Sequence, residues 1–147
     1  MIESAGEEFG VTHILVNELP AELGSPEAPS RYDVSVVFTR RPSPRELDLL
    51  KHPEVAARLA DAGYGAVELR VADRRLIVEH TNLDELAAGL ATLIGRILED
   101  IGDQAAAEKV SRDATAAEQV RAEASRAAAV LAAVARIDFR PRRSLYE

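Results

Sequence analysis

His80 is the residue whose neighbours in the sequence most suggest ligand chemistry. It ends an alternating segment and stands just before Asn82, where a helix is predicted to begin, and backbone amides at helix starts attract anions. Arg74 and Arg75, in the turn before the same segment, add positive charge. These four residues predict a small-molecule or anion-binding module, with or without catalytic activity. The sequence favours the plainer alternative, in which the arginines solvate a turn and Asn82 only caps a helix.

Motifs that hold nucleotides, metals or nucleophiles are missing from the sequence. Gly63-Tyr64-Gly65 lacks the third glycine of a dinucleotide-binding loop, and no Walker lysine follows a glycine run. His13, His52 and His80 are too far apart for a local ligand pair, there is no cysteine, and no Gly-x-Ser-x-Gly elbow occurs. We therefore predict no catalytic residue, no metal and no cofactor, and we expect a protein that is not an enzyme.

Length and charge favour one ordinary intracellular domain. The chain has 147 residues, and its 18 basic and 25 acidic side chains give a net charge of −7, which repels a phosphate backbone. The first residues are acidic rather than basic and apolar, so they do not predict secretion. Without cysteines or any apolar run of about 18 residues, we expect a cytoplasmic protein with no membrane segment and no disulfide.

The carboxyl-terminal residues have the opposite charge. Arg136, Arg140, Arg142 and Arg143 outnumber Asp138 and Glu147, so the last twelve residues sum to 4 − 2 = +2 and the rest to −9. Such a basic tail suits nucleic acid, an acidic partner or the protein's own acidic surface. Nucleic-acid binding through these arginines is a second alternative function, and self-association or solubility is the use that the sequence favours.

Periodicity predicts the elements that position these residues. Alternation predicts strands at 11–19 and 32–39, and a hairpin whose turn is at 72–75. A capping box predicts a helix from Ser43, with a kink near His52 because Pro53 lacks an amide donor. Apolar spacing by threes and fours predicts a further helix after Asn82 that ends at Gly102.

The order ββαββα predicts an α+β fold: an antiparallel four-stranded sheet with helices on one face, followed by a long alanine-rich helical arm. We predict an α+β domain at 1–102, with a frayed start at 1–8 and a loop at 20–31. The helical arm then occupies 103–139 and the basic tail 140–147.

The arm has the composition of a helix but few large apolar side chains. Residues 103–137 contain no proline or glycine, and 14 of these 35 residues are alanine. A single rod would be about 52 Å long, although Ser111 to Asp113 and a capping-box match at Thr115 also allow two helices. Large apolar side chains are concentrated between 130 and 139, so we expect this end of the arm to dock.

These features predict a non-enzymatic protein-interaction domain that self-associates through the arm, as a homodimer or with a protein partner. Alanines would let another helix approach closely, and the second face of the sheet carries apolar groups that something could cover. The candidate interaction residues are Val37 and Ile77 on the sheet and Val110, Ala114, Ala117, Val120, Ala124, Leu131 and Val134 on the arm.

Overall fold

The computed structural model describes residues 8–141. Its strands are β1 (Val11–Ile14), β2 (Tyr32–Phe38), β3 (Glu68–Ala72) and β4 (Arg75–Thr81). Its helices are α1 (Pro44–Leu50), α2 (Pro53–Asp61), a single turn α3 (Leu83–Glu85) and the long α4 (Ala91–Ala135), with a π-type turn at Leu86–Leu90 between the last two. The chain divides into two units that meet between Ala106 and Ala107. Within the described residues, no helix has the length and apolar composition of a bilayer-spanning segment.

The four strands form one antiparallel sheet in the order β1-β2-β4-β3, which confirms the predicted fold class. Val34 pairs with Val78 and Val36 with Leu76, so the two central strands bring their apolar side chains to the same face. That face and the helices form one core. Residues of the sheet, of α1, of α2 and of the first part of α4 all contribute to it.

The break between the first two helices follows from proline chemistry, as predicted. The Ser43 hydroxyl accepts from the Glu46 amide while the Glu46 carboxylate accepts from the Ser43 amide, which starts α1 with a reciprocal cap. Pro53 then occupies the first position of α2 behind His52, whose side chain accepts from the Glu54 amide. The sequence thus specifies two short helices where a continuous apolar stripe alone would suggest one.

The first strand is shorter than predicted. Instead of continuing to Leu19, β1 ends at Ile14 and Val16–Glu18 form a 3-10 turn. The Leu15 amide still donates to the Ser35 carbonyl, but the Glu18 and Leu19 amides bond back three residues. Local hydrogen bonds replace the ladder here, so the apolar Leu15 and Val16 do not extend the strand.

Gly102 does not end a helix, and this prediction was wrong. The α4 helix passes through Gly102 and continues to Ala135. A Cβ atom on Gly102 would lie 2.9 Å from the Cβ of Phe9. Glycine is therefore needed here for close packing against Phe9, and not for a left-handed helix cap. The segment from Ser111 to Thr115 is also uninterrupted, because residues with moderate helix propensity stay helical within a long alanine-rich segment.

Candidate interaction surface

The candidate ligand residues lie at two ends of one strand. Arg74 and Arg75 are at the start of β4 and its hairpin, whereas His80 and Asn82 are at its end. Five residues of extended chain separate Arg75 from His80 by about 16 Å. Arg75 forms an ion pair with Glu18, and the Arg74 carbonyl accepts from the Phe38 amide. The structure therefore does not bring these arginines to His80.

His80 occupies a β-bulge, and its side chain is exposed. Between Tyr32 and Val34 the register advances two residues on β2 and three on β4, and His80 takes φ of 62°. The Asp33 carboxylate accepts from the His80 amide at 3.3 Å, and the His80 carbonyl accepts from Arg31 at 2.5 Å. Both contacts are made by backbone atoms of His80, and neither involves its imidazole ring.

Asn82 is a capping residue tied to a partly buried polar network. Its side-chain oxygen accepts from the Glu85 amide at 2.6 Å. The fully buried Thr81 donates to the Glu85 carboxylate at 2.9 Å, and Arg31 pairs with the same carboxylate at 3.2 Å. Tyr32 accepts from the Leu83 amide at 2.9 Å. Pairing between distant segments assembles this network, and its effect is to lock β4 to the following helix.

A second polar cluster surrounds the buried Glu46. Arg40 donates to both carboxylate oxygens, at 2.8 and 2.7 Å, and the guanidinium lies 5.3 Å from the centre of the Phe9 ring. Burial by itself would raise the pKa of Glu46, but hydrogen bonds from Arg40 and Ser43 together lower that pKa below its usual value. The cluster is thus a stabilising ion pair, and sequence reasoning assigned only its capping role.

No metal site emerges from residues 8–141. No group of three His, Cys, Asp or Glu side chains in this range could hold an ion. A cleft of about 260 Å³ lies along α1, α2 and the first part of α4. Within it Arg58 pairs with Asp100 at 2.9 Å, and His52 accepts from the Glu54 amide. Two charged groups of the cleft, Arg58 and Asp100, are thus paired with each other.

The second face of the sheet offers less apolar surface than the sequence suggested. Ile77 is buried within the chain, between Ser35 and Arg70 in the sheet register, and Val37 is half-buried. Arg70 donates to the Glu79 carboxylate at 2.8 Å on the same face. This ion pair between neighbouring strands occupies part of the surface, so the surface is a weaker candidate for an interface than the arm.

The arm, defined here as residues 107–135 of α4, exposes its apolar side chains. Val120 is 68% exposed and Leu131 is 69% exposed. Two series of residues recur every seven positions and interleave at spacings of three and four, which places them on one face of the helix. They are Val110, Ala117, Ala124 and Leu131 in the first series and Asp113, Val120, Ala127 and Val134 in the second. We call this face the seam; Ala114 lies beside it.

Ala127–Ala135 contains only alanine, valine and leucine. Every residue of this charge-free segment is exposed except Ala133, which is intermediate. Ile137 and Phe139 follow it and are also exposed, Phe139 to 95%. A helix that is apolar on all faces is ordinarily buried. Within residues 107–141 nothing covers this apolar end, and its docking stays a prediction.

Comparison with protein-family models, curated proteins and solved structures found no match to this chain.

Charges in the arm are balanced, and two ion pairs form locally. Four acidic and four basic residues lie between 107 and 126. Lys109 donates to Asp113 at 2.9 Å and Arg126 to Glu123 at 2.7 Å, and these hydrogen bonds lower the pKa of both carboxyl groups. An uncharged, apolar end joined to a neutral helix favours a partner that is not itself strongly charged.

The basic tail is only partly described. Arg136 and Arg140 are exposed, and Arg140 pairs with Asp138 at 3.2 Å, which lowers the pKa of that carboxyl group. Arg142 and Arg143 lie outside the described residues. Nucleic-acid binding through these arginines stays a prediction.

Proposed function

We propose that this chain is a non-enzymatic protein-interaction domain that self-associates through its arm. The observation that carries the proposal is the exposed, charge-free helical segment Ala127–Ala135. Burial of a valine or leucine side chain stabilises by about 1.5–3 kcal/mol, and a second copy would supply this burial for both chains. A homodimer is the commonest closed assembly of this kind.

The compact unit supports a scaffold role in this proposal. Its buried polar groups have partners within the unit, since Thr81 donates to Glu85 and Glu46 accepts from Arg40, and its cleft has no convergent unpaired catalytic set among the described residues. The arm, in contrast, places large apolar side chains in water. A surface of this kind marks an interaction site more often than a catalytic one.

Two substitutions with the same new side chain test the proposal. Leu131→Glu places a carboxylate on the seam, whereas Ala129→Glu places one in the same segment but on the opposite side of the helix. Glutamate is a good helix former, so both variants keep the arm helical. Light scattering at micromolar concentration should give a dimer for the parent chain and for Ala129→Glu, and a monomer for Leu131→Glu. Equal masses for the two variants would contradict a role for the seam.

A further inference from the structure

The seam is not equally suited to every arrangement of two arms. We propose that two copies pair antiparallel, crossing about a two-fold axis near Ala129. This inference rests on the proposed self-association and adds the orientation of the second copy. It follows from which side chains face each other in the two arrangements and from where the charges of the arm then lie.

Side-chain volume favours the antiparallel crossing. About an axis near Ala129, Leu131 faces Ala127 of the second copy, and Val134 faces Ala124 of the second copy. Each layer then combines one large and one small side chain, so the helices keep a uniform separation. In a parallel, in-register pair Leu131 would face its own copy while Ala124 and Ala127 faced theirs. Layers with two large side chains would then lie next to layers with two small ones, which leaves gaps between the helices.

Charge favours the same orientation. A parallel pair would set Asp113 against its own copy on the seam and bring Arg136 and Arg140 beside the same arginines of the second chain. The antiparallel pair separates these like charges. It directs Arg136 along the other arm towards Glu118, for which the described part of the chain shows no ion-pair partner.

Charge also decides where the arms cross. An antiparallel crossing near residue 122 would overlap more of the arm, but it would place Asp113 of the seam opposite the apolar Leu131 of the second copy. A crossing near Ala129 leaves Asp113 outside the overlap of the two helices, and it places Glu123 beside Ala135 and Arg121 beside Ile137 of the second copy. The uncharged segment therefore lies at the centre of the pair, and the charged part of each arm lies outside the crossing.

Distances between spin labels distinguish the two orientations. Because the chain has no cysteine, a single introduced thiol is the only site that a thiol-reactive label modifies. Ala114→Cys carries the nitroxide label outside the crossing. Fifteen residues separate position 114 from the axis, so two labels should be about 45 Å apart in the antiparallel dimer. A parallel in-register dimer would bring them to about 10–25 Å, since only the helix pair separates them. The shorter distance would overturn the orientation.

Disulfide trapping checks the register with the same full chain. When Ala127→Cys and Leu131→Cys variants are mixed and mildly oxidised, the antiparallel pair should give a crosslink between the two, because facing Cα atoms are within about 7 Å. Leu131→Cys alone is the control and should remain largely uncrosslinked. A strong self-crosslink of Leu131→Cys, in a chain that is dimeric by mass, would refute the orientation and leave self-association intact. A monomeric parent chain would instead refute both.

Discussion

Gly102 and Phe9 approach so closely that a Cβ atom on the glycine would lie 2.9 Å from the Cβ of the phenylalanine. Phe9 is buried and stacks on Phe38 with 5.2 Å between ring centroids, so it has no free space to move into. The amino-terminal segment is thus packed against α4 at a point where only glycine fits.

Gly102→Ala should therefore destabilise the α+β unit. Overpacking costs typically about 1–3 kcal/mol, which outweighs the roughly 1 kcal/mol that alanine gains over glycine in a helix. Gly95 is the matched control, because it lies in the same helix and a Cβ there would meet nothing within 4 Å. Urea unfolding followed by circular dichroism should show a loss for Gly102→Ala and a gain for Gly95→Ala. A gain for both would contradict the packing role of Gly102.

The Glu46 ion pair should make stability depend on pH in the acid range. Because its folded-state pKa lies below the ordinary value of 4.5, its contribution is complete above that value and is lost as pH falls through the lowered pKa. Urea midpoints measured from pH 7 to pH 3 should fall for the parent chain. Glu46→Gln should already be less stable at pH 7, by about 2 kcal/mol, and should lose less on acidification. Parallel pH curves would show that Glu46 does not contribute in this way.

His80 should behave as a strained backbone position and not as a ligand. Its φ of 62° is in the left-handed region, which costs a non-glycine residue roughly 1–2 kcal/mol. We expect His80→Gly to be about 1 kcal/mol more stable than His80→Ala, since both lose the imidazole but only glycine relieves the strain. Thermal unfolding of the two variants checks this. A more stable alanine variant would contradict it.

Local chemistry made much of the fold predictable. The alternation over Tyr32–Phe38, the reciprocal cap at Ser43 and the break before Pro53 each depend on residues a few positions apart. The β-bulge at His80 and the role of Gly102 were not predictable, because each depends on a segment distant in the sequence. The Arg31 to Glu85 pair, 54 residues apart, was missed for the same reason.

The candidate surface was predicted in part. The spacing of Val110, Ala117 and Leu131 could be read directly, because seven-residue recurrence is visible in a sequence. The burial of Ile77 could not be predicted from the sequence, since it depends on residues of the neighbouring strands. The proposed ligand residues failed to converge because β4 is extended and keeps its two ends apart.

The self-association of the arm is tested most directly by sedimentation equilibrium of the full chain over a range of micromolar concentrations. A single chain has a mass of 15.9 kDa. Self-association through the arm predicts a mass that rises with concentration towards twice this value, because mass action favours the dimer. A mass that stays at 15.9 kDa throughout the range would contradict it.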